Sequence, residues 1–185
     1  MNTWLKTGAL IAGVWIIAAI AIHFARMSQP TAASVTAYAQ SVNLESLQGE
    51  ARARAIARME DMVNHITFEE RQQLDRANVT HAFFDHMTED EQAAYLDATL
   101  PTGFQQLMDS FNKMDPVKRK QIVNDALERM KENPGPGGTP SGKQAVIAQH
   151  VIDQGLKSFY KDANADVKLD LAPLVEQIQI NLQHR

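Results

Sequence analysis

Hydrophobic residues recur along most of this chain at the spacing of an α-helix. Leu44, Leu47, Ala51, Ala55, Met59, Met62 and Ile66 form one stripe at steps of three and four. Phe104, Leu107, Met108 and Phe111 follow the i, i+3, i+4, i+7 pattern, and Val123, Ala126, Leu127 and Met130 make a similar set. Ile152, Leu156 and Phe159 predict another helix, and Leu171, Leu174, Val175, Ile178 and Leu182 a last one. No sustained alternation of period two is present, so no sheet is expected.

Helix starts stand beside these stripes. In MTEDEQ, Thr88 is followed three residues later by Glu91, the spacing of a capping box, in which the hydroxyl accepts from the N3 amide and the carboxylate reaches back to the cap amide. Thr67 and Glu70 repeat the spacing in ITFEER, and Thr102 and Gln105 repeat it in PTGFQQ. Asp115 followed by Pro116 reads as a cap with proline at the first helical position. Glu89, Asp90 and Glu91, with Asp97 close behind, could suggest a metal or acid–base site. Acidic groups also suit the positive end of a helix, and the capping grammar makes a helix start facing water the expected reading. Successive caps lie 21, 14 and 13 residues apart, too irregular for a repeat array. The starts resemble the LTxxQ helices of periplasmic stress chaperones in outline only. Neither ITFEE nor MTEDE contains that motif, and no family is assigned.

The amino terminus has a different pattern. Gly8 to Ala25 carries no charged residue over 18 positions, flanked by Lys6 and Arg26, with Trp4 placed for an interfacial belt. A helix of that length rises about 27 Å, close to the roughly 30 Å of a hydrocarbon core. The expectation is one uncleaved membrane span. A cleaved secretory signal is the alternative, with Ala37–Ala39 (AYA) as a distant small-x-small site. Lys6 and the terminal amine precede the run. Only Arg26 directly follows it, and the next basic residue is Arg52, so the body is expected outside the cytoplasm. Gly8 with Ala12, and Ala9 with Gly13, would let two spans approach closely and are compatible with a homo-oligomer.

Between Ser28 and Val42 the chain is small, polar and almost uncharged, which predicts a flexible tether. NPGPGGTPSG, residues 133–142, holds three prolines and four glycines and can continue neither helix nor strand. The expected organisation is an anchor over 1–27, the tether over 28–42, a helical domain over 43–132, a linker over 133–142 and a helical pair over 143–185. A two-helix hairpin is marginal alone, so the pair is expected to pack back on the helical domain.

Charge and chemistry narrow the function. The chain has 18 basic and 22 acidic side chains, and past residue 26 the balance is 16 to 22. An acidic body argues against nucleic acid as a partner. The absence of cysteine excludes disulfides, thiolate nucleophiles and iron–sulfur clusters. His81 and Asp85, and Asp61 and His65, are i, i+4 pairs that two helices could bring together around a metal, whereas His86 is turned away from His81. Neither an HExxH nor a repeated ExxH pattern is present, and each pair is expected to be an ordinary helix-surface contact. No nucleophile elbow surrounds Ser110, Ser141 or Ser158 and nothing places a base beside any of them, and Gly135–Gly138 lacks the ending of a phosphate loop. Lys118, Arg119 and Lys120 sit in the first turns of a helix, where cations are slightly unfavourable, and a solvated face is expected. Met59, Met62, Met87, Met108, Met114 and Met130 are expected to be core, with an adaptable binding face as the alternative.

The sequence therefore predicts an all-α protein: a single N-terminal transmembrane helix, about Gly8 to Ala25, followed by a small multi-helix bundle of short amphipathic helices. It is expected in the inner membrane with its body extracytoplasmic, as a non-catalytic interaction or scaffold module. Its partners would be the membrane and other envelope or membrane proteins. No cofactor, metal or catalytic residue is assigned. The alternative is a periplasmic chaperone-like or metal-sensing helical protein.

Overall fold

The computed structural model describes residues 29–132 and 143–183. Among the described residues the chain is all-helical, as the periodicity predicts. α1 is Ala32–Ser41, a 3₁₀ turn follows at Leu44–Ser46, and α2 is Gly49–His65. α3 is Phe68–Arg76, α4 is Val79–Asp85, α5 is Glu89–Lys113 and α6 is Pro116–Glu132. α7 is Lys143–Asp162 and α8 is Ala165–Gln183. No described helix is long and apolar enough to cross a membrane. The apolar run Gly8–Ala25 lies outside the described residues, as does the 133–142 break.

Two capping boxes form as expected. Thr67 and Glu70 open α3, and Thr88 and Glu91 open α5, each with both reciprocal bonds. Asp115 Oδ1 accepts from the amides of Val117 and Lys118 at the start of α6. The third expected box does not form. Thr102 lies within α5, which continues through Pro101 for 25 residues. Proline removes one backbone donor and crowds the preceding turn, at about 3 kcal/mol. Packing outweighs that cost, because α5 is buried on both sides of the proline: Tyr95 and Thr99 before it, Met108 after it.

The expected tether is also revised. Residues 32–41 form α1, opened by a capping box between Thr31 and Ser34. Val35 is fully buried, Ala32 nearly so, and the Tyr38 hydroxyl donates to Ala55 O at 3.0 Å. Glu70 Oε1 accepts from the Ala32 amide at 3.3 Å, so the α3 capping carboxylate also ties down α1. Small uncharged residues suit a tether, and they equally suit a helix that packs closely.

Two buried clusters make the core. The first joins α1, the 3₁₀ turn, α2, α3, α4 and the front of α5 around Val35, Met59, Ile66, Leu74 and Tyr95. The second joins the rear of α5 to α6, α7 and α8 around Met108, Val123, Phe159, Val167 and Leu171. α5 is shared, and the division falls along it rather than at residues 133–142. Met59, Met62, Met87 and Met108 are all core. α7 lies close against α5 at Gly155, where an added Cβ would sit 3.2 Å from the Phe104 ring.

One device joins successive helices. The fourth residue after each of five caps reaches back to the carbonyl eight residues earlier, in the preceding element. Arg52 Nη1 donates to Leu44 O, Arg71 Nη2 to Val63 O at 2.7 Å, and Gln92 Nε2 to Phe84 O at 3.1 Å. Arg119 Nη1 donates to Phe111 O at 3.1 Å, and Lys168 Nζ to Tyr160 O at 2.7 Å. The last carbonyls of a helix have no partner within it. A long donor in the next first turn bonds one of them and fixes the corner, at Leu44, Phe84 and Phe111 alongside a backbone amide that the same carbonyl already accepts.

Thr88→Ala should destabilise the protein by about 1 kcal/mol, the usual worth of a capping side chain. Thr102→Ala should change stability by less than about 0.5 kcal/mol, because it removes no cap. Thermal melts of the full-length protein compare the two, and equal losses would show that α5 starts twice.

Candidate functional site

The acidic stretch at the start of α5 is partly a structural lock. Glu91 closes the capping box with Thr88 and also accepts two bonds from Arg52, from Nε to Oε1 and from Nη2 to Oε2, both at 2.7 Å. Arg52 Nη2 also donates to His86 O at 2.8 Å. One guanidinium thus joins the 3₁₀ turn, α2, the end of α4 and the front of α5. The Arg52 bonds, with Thr88 adding to them, hold the Glu91 carboxyl at about 2 against the opposing effect of burial. Glu89 and Asp90 are exposed beside it.

Arg119 overturns the expectation of a solvated basic face. It is 3% exposed. Its Nε and Nη2 both lie 2.6 Å from Asp170 Oδ2 on α8, and Nη1 also donates to Met114 O at 3.4 Å. Its cation is poorly placed for its own helix and well placed for the negative end of α5. Lys118 and Lys120 remain exposed.

The histidine pairs do not converge. Asp61 and His65 form an exposed contact at 3.2 Å on α2. His86 Nδ1 lies 3.0 Å from Glu45 Oε1, also exposed. His81 and Asp85 are exposed on α4. Among the described residues no three His, Asp or Glu side chains gather where they could hold a metal ion. Ser158 is buried and donates to Asp162 Oδ2, one turn on, at 2.8 Å. Ser110 lies near the rear of α5, and Ser141 and Gly135–Gly138 fall outside the described residues.

What sequence reasoning missed is a cleft of about 540 Å³ between α3, α4, α5 and α7. Phe84, Leu100, Phe104 and Val151 supply apolar wall, and Arg71, Asp75, His81, Tyr95 and Thr99 supply the polar positions. That volume falls within the roughly 300–1,000 Å³ of small-molecule sites. Arg71 Nε donates to Gln106 Oε1 at 3.1 Å, and Gln106 Nε2 donates to Ile66 O at 2.8 Å, so two neighbours hold the guanidinium in place. Burial lowers the Arg71 pKa, yet an arginine stays charged. Burial also pushes the Tyr95 phenol up to about 12, with Arg71 pulling the other way. Beside the cleft, His150 Nε2 of α7 lies 2.8 Å from Asp97 Oδ1 of α5, off the line a hydrogen bond needs.

No family, curated protein or solved structure matches this chain.

The cleft could not be read from the sequence because its walls come from four helices separated in the chain. The arginines could be. Gln48 with Arg52, Thr67 with Arg71, and Asp115 with Arg119 each place a long donor four residues after a cap.

Two outcomes follow from the locks. Glu91→Gln keeps a side chain that a capping box accepts but removes the charge that faces Arg52, at about 1 kcal/mol near neutral pH. A depressed carboxyl contributes stability above its ordinary value of 4.5 and loses it as pH falls through about 2. The gap between wild type and variant should therefore be full above pH 5 and close as the pH approaches 2, in thermal melts across that range. Asp170→Leu leaves Arg119 buried without its carboxylate and should cost about 3 kcal/mol. The double variant Arg119→Met with Asp170→Leu should recover much of that loss in the same melts.

Proposed function

We propose that this protein is a single-pass, membrane-anchored extracytoplasmic module whose helical body binds another envelope or membrane protein and performs no catalysis. The anchor would be Gly8–Ala25, with the amino terminus in the cytoplasm as the Lys6 side of the span implies. Only five residues separate Arg26 from the start of α1, so a body built this way sits close to the bilayer.

The observation that carries the interaction reading is an apolar corner on the second core. Val117, Leu169 and Tyr160 are 75%, 74% and 59% exposed. They belong to α6, α8 and α7, three helices that the Arg119–Asp170 pair and the Lys168–Tyr160 bond tie together. Val117 is two residues from Arg119 and Leu169 is next to Asp170, the buried ion pair. Lys168, also beside Leu169, is bonded to Tyr160 O. Single exposed hydrophobics are ordinary, and three on helices packed together support an interaction surface there.

The test uses full-length protein in cells, with a photo-crosslinking residue at position 117, 160 or 169, or at position 54 on α2 as a control, and a tag at the carboxyl terminus. The corner positions should give one discrete adduct with another membrane or envelope protein that position 54 does not. The tag should stay in carbonate-washed membranes and be digested when intact spheroplasts meet protease. Identical adducts at all four positions, or none at the corner, would remove the interaction reading. A protected tag would reverse the orientation.

A further inference from the structure

Three arginines make the same backward reach to a carbonyl eight residues earlier, and they differ in what meets their charge. Arg52 is paired with the Glu91 carboxylate and Arg119 with the Asp170 carboxylate. Arg71 has no carboxylate within ion-pair distance among the described residues. Its neighbour is the neutral Gln106 amide, and its Nη1 packs beside Gly103, 3.5 Å from where a Cβ would be. Nη1 has no acceptor among the described residues, and Arg71 and Gly103 both line the cleft. Where the other two arginines pair with an acid in direct contact, this one has only the longer-range pull of Asp75, one turn on, and faces a largely apolar cavity.

Nη1 is not sealed from solvent, and a charge-assisted bond to a carboxylate or phosphate is a strong way to replace its water. The remaining wall is suited to a chain: Phe84, Leu96, Leu100, Phe104, Leu107 and Val151 run along the cleft from α4, α5 and α7. We propose that this cleft binds an amphiphile with an anionic headgroup, the carboxylate or phosphate seated on Arg71 Nη1 and the apolar chain laid between α4, α5 and α7. Tyr95 and Thr99 are nearby hydroxyls on the same wall. Asp75, one turn beyond Arg71, also lines the cleft and disfavours a headgroup on its side. The cleft is separate from the apolar corner on α6, α7 and α8, and this inference does not depend on the interaction reading.

The probes are sodium decanoate, decyl phosphate, decanol and decyltrimethylammonium. Each is titrated into the full-length protein held in an amphipol, with the protein-free amphipol as blank, and the Val151 methyl resonances are followed. At least one of the two anions should give saturable one-to-one shifts, with an affinity about tenfold or more above that of decanol, and the cation should bind more weakly still. A tighter carboxylate would point to a free fatty acid, and a tighter phosphate to a phospholipid headgroup. Arg71→Gln should abolish the preference for anions while leaving weak binding of decanol. If that variant does not fold, Leu100→Trp serves instead: it fills the cleft, leaves Arg71 in place and should remove saturable binding of the anions. Equal affinities for both anions and decanol would overturn the proposal. So would shifts that rise without saturation, or anion binding unaffected by Leu100→Trp.

Discussion

The structure depends on how each helix ends. A short helix leaves its last carbonyls exposed, and a bundle of such helices must satisfy them at every corner. Here the answer is the same at five corners: a long donor four residues after the cap bonds the carbonyl eight residues back. The cap aligns the new helix and the donor closes the old one. Neither task needs a large core, which suits a chain whose helices α3 and α4 span only nine and seven residues. Lysine and glutamine serve at two corners and arginine at three. Arginine, with five donors in a rigid fork, can serve two partners at once, and each of the three uses its other donors to reach a separate helix.

α5 is the second organising element. It runs 25 residues through Pro101 because it has two jobs. Its front closes the cluster around α1 to α4, and its rear closes the cluster around α6 to α8. α7 returns along its flank, brought close by Gly155 against Phe104. The cleft lies where α7 passes α5 beside α3 and α4, and so belongs to neither cluster alone. Its cation comes from the corner device and its apolar wall from the shared helix. The same construction that satisfies helix ends thereby leaves one guanidinium facing a cavity.

The acidic stretch at residues 89–91 shows how one local pattern can serve at two levels. Its capping role follows from spacing alone. Its pairing with Arg52 follows only once α2 lies across the front of α5, and this pairing draws the Glu91 carboxyl far below the ordinary range. The basic run at residues 118–120 divides in a similar way. Two of its lysines stay in water, while Arg119 is drawn into the second core by Asp170, fifty-one residues away.

The sequence alone determined the helical class, the stripes, and the starts at Thr67, Thr88 and Asp115. These depend on hydrogen bonds and side-chain spacing within a few residues, which no distant contact has to supply. Tertiary structure decided the rest. Residues 32–41 became a helix because Val35 and Tyr38 found a surface on α2, α3 and α4. Helix α5 ran through Pro101 because burial on both sides outweighed a broken backbone bond. The core was divided along α5 rather than at the proline- and glycine-rich break, because packing follows faces in space and not punctuation in the chain. Arg71 could be seen in the sequence as a basic residue after a cap. That it alone of three arginines has no carboxylate in direct contact, and stands at the wall of a cleft, depended on which residues four separate helices brought to it.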